Sequence, residues 1–181
     1  MMKKLTLAIA IMATLAVPIQ ALASTTAQIK SRFNQLRTGD RTLCLSDIFY
    51  GSNVGIKVIE NGFVVQKSKD ALLYKTVIIY LLGNDVTVNI KSLVESKFEK
   101  ESIHNEFKQS YVEVSGMDNP AQAEMKSRLI NSYEQSLTQQ QEPVPYSVIS
   151  LTEKGYNMNE INKDSQVNSK CYITPAKADA K

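Results

Sequence analysis

Apolar and polar positions alternate through much of this chain, and the apolar run that follows Lys75 sets the frame. In residues 75–90, KTVIIYLLGNDVTVNI, Val77, Ile79 and Leu81 project to one side of an extended strand while Ile78, Tyr80 and Leu82 project to the other. Both faces therefore ask for burial, which predicts a central strand from Thr76 to Leu82. Gly83, Asn84 and Asp85 tolerate a tight reversal, and Val86, Val88 and Ile90 then alternate with Thr87 and Asn89 in a half-buried returning strand. Upstream, Val54, Ile56 and Val58 alternate with Gly55 and Lys57. The pair Asn61-Gly62 carries the two-residue signature of a hairpin turn before Phe63, Val64 and Val65. Residues 41–50 read as an earlier strand with Cys44 on one side, Leu43 and Leu45 on the other, and a bend or bulge at Ser46-Asp47. A turn at Gly51-Ser52-Asn53 follows it, and residues 67–70 form a charged connector.

Helical spacing appears in three places. Thr25 and Gln28 form a capping box, and Ile29, Phe33 and Leu36 share a face, predicting a helix over 25–38 that ends at Gly39. Ser92 and Glu95 form a second capping box that opens a charged helix through roughly Gln109. Within it Ile90, Val94 and Phe98 share one face and Ile103, Phe107 and Tyr111 another, which asks for a kink at residues 100–102. Asn119-Pro120 with Gln122 begins a long helix whose stripe of Met125, Leu129, Tyr133 and Leu137 would cover the sheet. Beyond Pro145 the pattern predicts a strand at 146–151, a polar surface loop over 153–169 and a last strand at 170–174. Together these elements predict an α+β domain: a mostly antiparallel sheet with helices packed on one face.

The amino terminus changes the picture of where this domain works. Met1 to Lys4 is basic, residues 5–17 are apolar, and small residues surround Ala23. This is the pattern of a signal peptide, removed at 1–23, and the apolar run is shorter than the ~20 residues of a spanning helix. The remaining 24–174 form one domain, with a disordered tail at 175–181. Cleavage removes Lys3 and Lys4 and no acid, so the 21 basic and 18 acidic residues become 19 and 18. A chain so close to neutral offers no field for polyphosphate, and no arginine-rich stretch points to nucleic acid. The expected location is the periplasm or the extracellular space, with no stable membrane insertion after cleavage. The only two cysteines, Cys44 and Cys171, stand near opposite ends of the exported chain and are expected to form a disulfide there, bringing the last strand beside the first.

Candidate chemistry is sparse. His104 is the only histidine, Glu95, Glu99 and Glu101 interleave with lysines, and the sequence contains no G-x-S-x-G, H-E-x-x-H or C-x-x-C. No catalytic residue, metal ligand or cofactor is nominated. Eight tyrosines and no tryptophan make Tyr50, Tyr146 and Tyr156, near turns or strand ends, the candidate interface residues. The leading expectation is a non-catalytic domain that binds another envelope or secreted protein as an inhibitor, immunity factor or assembly accessory. The alternatives are a carrier with an apolar cavity between sheet and helices and, third, a secreted hydrolase.

Overall fold

The computed structural model describes residues 24–50, 53–139, 141–161 and 165–177. The expected leader, the turn at Gly51-Ser52 and the last four residues of the expected tail lie outside them. A helix, α1 (Thr26–Asn34), precedes β1 (Arg41–Tyr50), β2 (Asn53–Lys67), β3 (Ala71–Gly83), β4 (Val86–Phe98) and β5 (Ser102–Ser115). There follow α2 (Ala123–Thr138), β6 (Val144–Pro145), β7 (Ile149–Thr152), β8 (Gly155–Ile161) and β9 (Gln166–Thr174). The strands make one antiparallel sheet in the order β6-β5-β4-β3-β2-β1-β9-β8-β7. Its two edge strands, β6 and β7, are consecutive in the chain and joined by the single 3-10 turn Tyr146–Val148. So short a link requires the edges to approach each other, and the sheet curls into a nearly closed barrel.

The expected α+β layering is therefore overturned: the molecule is a curled sheet whose ends are stopped by helices, rather than a sheet with a helical layer on one face. The predicted helix over 92–109 is the main source of the error. Ile90, Val94 and Phe98 are spaced by four, which satisfies a helix face and also every second inward position of a strand. The positions between them, Ser92 and Ser96, are buried as well, so the true period is two. The supposed kink at 100–102 is the hairpin between β4 and β5, closed by the Glu99 N–H donating to the Ser102 carbonyl at 3.0 Å. The hairpin also sets the five-residue offset from Phe98 to Ile103, its directly paired partner, and an irregularity farther along β5, where Leu93 and Val94 face Gln109 and Phe107 and Lys108 is skipped, puts Val112 on the inner face and leaves Tyr111 exposed.

The Asn61-Gly62 hairpin is likewise absent, because β2 runs straight through both residues as a 15-residue strand. Gly62 is buried on the inner face opposite Thr42, and a Cβ there would overlap the Thr42 hydroxyl. Its glycine is needed for close approach rather than for a turn. The turn chemistry at Gly83-Asn84-Asp85 is real: Asn84 and Asp85 have φ of 50° and 60°, the left-handed pair that matches strand twist in a hairpin. The stretch expected as a surface loop at 153–169 contributes β8 and the first part of β9, and residues 162–164 lie outside the described residues.

Thr76 to Leu82 lies within β3 between β2 and β4, but only its inner face is buried. Val77 and Ile79 are half-buried on the outside and Leu81 is exposed, since no second layer covers the convex surface among the described residues.

Helix α1 keeps its capping box, Thr25 with Gln28, and ends one turn earlier than expected. The Lys67 ammonium donates to the Asn34 carbonyl at its carboxyl end, where a positive charge is favoured. Asn119 caps the turn that leads into α2 by accepting from the Ala121 N–H. The α2 stripe is only half-buried, and Met125 at its start is exposed. No described helix is long and apolar enough to cross a membrane.

Candidate functional site

The inward side chains do not form one continuous apolar core. At one end of the barrel Ile29, Phe33 and Leu36 of α1 and the residues just after it pack with Val64, Leu72, Phe98, Ile103, Tyr146 and Ile149. At the other end Leu129, Ile130, Tyr133 and Leu137 of α2 pack on Val58, Ile78, Val88, Ile90, Val112 and Val114. On the inner faces of six strands a polar side chain lines the space between the clusters: Ser46 in β1, Glu60 in β2, Thr76 in β3, Ser96 in β4, Asn105 in β5 and Ser169 in β9. Around this polar belt lies a cavity of about 740 Å³. Its walls include Phe33, Tyr74, Phe98 and Tyr156 on the α1 side and Ile48, Val58, Ile78, Tyr80 and Phe107 on the α2 side. Ser136, Gln139 and Glu142 also line it and are exposed, which places an opening beside the end of α2.

Most of the belt is internally paired. Ser46 and Ser169 share a hydroxyl–hydroxyl hydrogen bond of 2.8 Å, and Ser96 donates to the Asn105 side-chain oxygen at 2.6 Å. Thr76 and Glu60 are not: Thr76 is 3% exposed and its hydroxyl has no partner. Glu60 sits diagonally across from Thr76 and Tyr80, directly opposite Ile78 on β3 and Cys44 on β1. Surrounded by protein on the cavity wall, it is held above the usual carboxylate range by burial, with no ion pair to offset the loss of water. Tyr80 is pushed up to about 12, mainly by burial and then by the charges of Tyr133, Glu60 and Tyr50. Tyr74 and Tyr156 move in the same direction, again chiefly through burial, and both sense the Glu60 charge.

Cys44 and Cys171 are directly paired across β1 and β9 and form the disulfide, which lines the cavity. Of the three tyrosines singled out from the sequence, Tyr50 is 53% exposed. Tyr146 is buried in the α1-side cluster, and Tyr156 turns inward to stack edge-on against Phe33. His104 lies on β5, half-buried, beside a smaller hollow of about 360 Å³ shared with Phe107, Leu137 and Gln139. Among the described residues no cluster of three or more histidine, cysteine or acidic side chains is placed to hold a metal. Glu95 and Glu106 belong to an outer-face network with Lys97 and Lys108. Hydrogen bonds from Lys108 hold both carboxyl groups below their ordinary range.

The belt escapes sequence reasoning because its members come singly from different strands, and Ser96, Asn105 and Ser169 stand among polar neighbours in the chain that face outward. Its signal is the repetition: one small or polar side chain near the middle of the inner face of strand after strand. No family model, curated protein or solved structure matches this chain.

Proposed function

We propose that the protein is an exported carrier that holds a small amphipathic molecule inside its barrel. The observation that carries this reading is the division of the core into two apolar clusters by a polar-lined cavity open to solvent beside α2. Its volume falls within the roughly 300–1,000 Å³ of small-molecule sites. A barrel interior that served stability alone would be filled with apolar side chains, because each unfilled volume and each unpaired buried hydroxyl costs stability. The disulfide fits an oxidising compartment. Within that setting the periplasm or extracellular space is the proposed site of action.

The test is uptake of amphiphiles by wild-type protein and by Thr42→Phe. Thr42 lines the cavity opposite Gly62, so a phenyl group there occupies cavity space above a residue with no side chain. The carrier reading expects saturable one-to-one binding that Thr42→Phe weakens while the circular dichroism spectrum is unchanged. Absence of saturable binding to the wild type, or an affinity that Thr42→Phe leaves unchanged, would contradict it.

A protein-binding role has one observation in its favour. Leu43, Leu45 and Tyr172 are 36%, 45% and 45% exposed on the outer faces of the adjacent strands β1 and β9. Capture of an envelope protein that is lost in Leu45→Lys and kept in Thr42→Phe would support that role over the carrier.

A further inference from the structure

The cavity lining is one-sided in charge. Glu60, Glu142 and Glu160 line it, and among the described residues no lysine, arginine or histidine does. An anionic amphiphile entering such a space would meet carboxyl groups and no counter-charge. A cationic one would meet a deep carboxyl that burial has left without a partner. The tyrosine rings add a second attraction, since Tyr74, Tyr80 and Tyr156 line the same cavity and an ammonium group is drawn to aromatic faces. A third, independent feature is the unpartnered hydroxyl of Thr76, a residue only 3% exposed on the cavity wall, which stands diagonally across the β2–β3 pair from Glu60. Together these make a headgroup site in the middle of the barrel, with apolar walls toward both ends for a tail.

We infer that the carried molecule is an alkylammonium amphiphile, its cationic nitrogen seated between Glu60 and the tyrosine rings with Thr76 beside it. This rests on the carrier reading and sharpens it. Pairing with a cation stabilises the charged form of Glu60 and turns a group that burial makes unfavourable into the principal attraction of the site. A fatty acid gains the same tail contacts and loses the headgroup contact. A neutral alcohol lies between them, because it brings no charge either to attract or to repel Glu60.

The experiment compares decyltrimethylammonium, decylammonium, decanoate and decanol by calorimetry, below their micelle concentrations, on the disulfide-bonded full chain and its Glu60→Gln variant. The expected result is that both ammonium compounds bind roughly tenfold or more tightly than decanoate and decanol, the order of effect of one charge-assisted contact. Glu60→Gln is expected to erase that preference while leaving decanol unchanged. Decanoate or decanol binding as tightly as the ammonium compounds would overturn the headgroup assignment and leave the carrier reading standing. Failure of all four to bind would overturn the carrier reading itself. If Glu60→Gln does not fold, the order of the four ligands on the wild-type protein decides the assignment alone.

Discussion

Replacing both cysteines, Cys44→Ala with Cys171→Ala, probes how much of the barrel's stability comes from one covalent link. The link joins residues separated by 127 positions, so it closes nearly the whole described domain into one loop. For a loop of that length the chain-entropy model gives about 5 kcal/mol of stabilisation, exerted through the unfolded chain. The folded state has little reason to change, because β1 and β9 remain paired from Arg41 opposite Thr174 to Phe49 opposite Gln166. In a domain of this size each kcal/mol moves the melting temperature by about 2–4 °C, so the double variant should melt about 10–20 °C lower. Thermal and urea unfolding followed by circular dichroism measure this directly. The urea slope should also steepen in the variant, since an uncrosslinked unfolded chain exposes more surface. A loss of less than about 1 kcal/mol, or an unchanged slope, would refute the claim that the bridge acts by constraining the unfolded chain.

Other expectations follow from single side chains. Glu60→Gln should stabilise the ligand-free protein at neutral pH, because burial raises the Glu60 value above that of a free carboxyl and an amide carries no charge to desolvate. Because that value is raised on folding, the wild type loses stability as pH climbs through and above the ordinary carboxylate range, and the two proteins should converge below about pH 4. A constant gap in urea titrations across that range would contradict the burial of the charge. Tyr146→Ala should cost about 3–5 kcal/mol, since this 2%-exposed ring sits where the two barrel edges meet. Tyr146→Phe removes only the 3.3 Å bond to the Glu99 carbonyl and should cost about 1 kcal/mol. Lys108→Ala should let Glu95 and Glu106 titrate closer to ordinary carboxylates in a carboxyl-detected NMR experiment.

What the sequence disclosed divides along physical lines. Local rules worked where the chain alone decides: the capping box at Thr25, the Asn119-Pro120 helix start, the Asn84-Asp85 reversal and the boundaries of β1. The pairing of Cys44 with Cys171, and with it the adjacency of β1 and β9, followed from compartment and cysteine count. Local rules failed where a barrel interior breaks the usual equation of polar with exposed. Ser92 and Ser96 fit the wet side of a helix, yet both are buried. Asn61-Gly62 fits a turn, yet Gly62 makes room for Thr42. Ser96 is both a misjudged position and part of the cavity wall, so there the site and the fold were obscured by one cause. The two-sided apolar run of β3 misled for a related reason: among the described residues no second layer covers the convex face of the single curved sheet.

The absence of tryptophan gives the central claim a direct test. Phe107→Trp places a single reporter in the cavity wall, and Tyr111→Trp places one on the same strand at a position 60% exposed. Decylammonium, decanoate and decanol, each carrying bromine on its tail, quench indole fluorescence on contact. A ligand-holding barrel predicts saturable one-to-one quenching in the Phe107→Trp variant and no saturable quenching in the Tyr111→Trp variant. Quenching confined to the outer-face reporter, or absent from both, would contradict it.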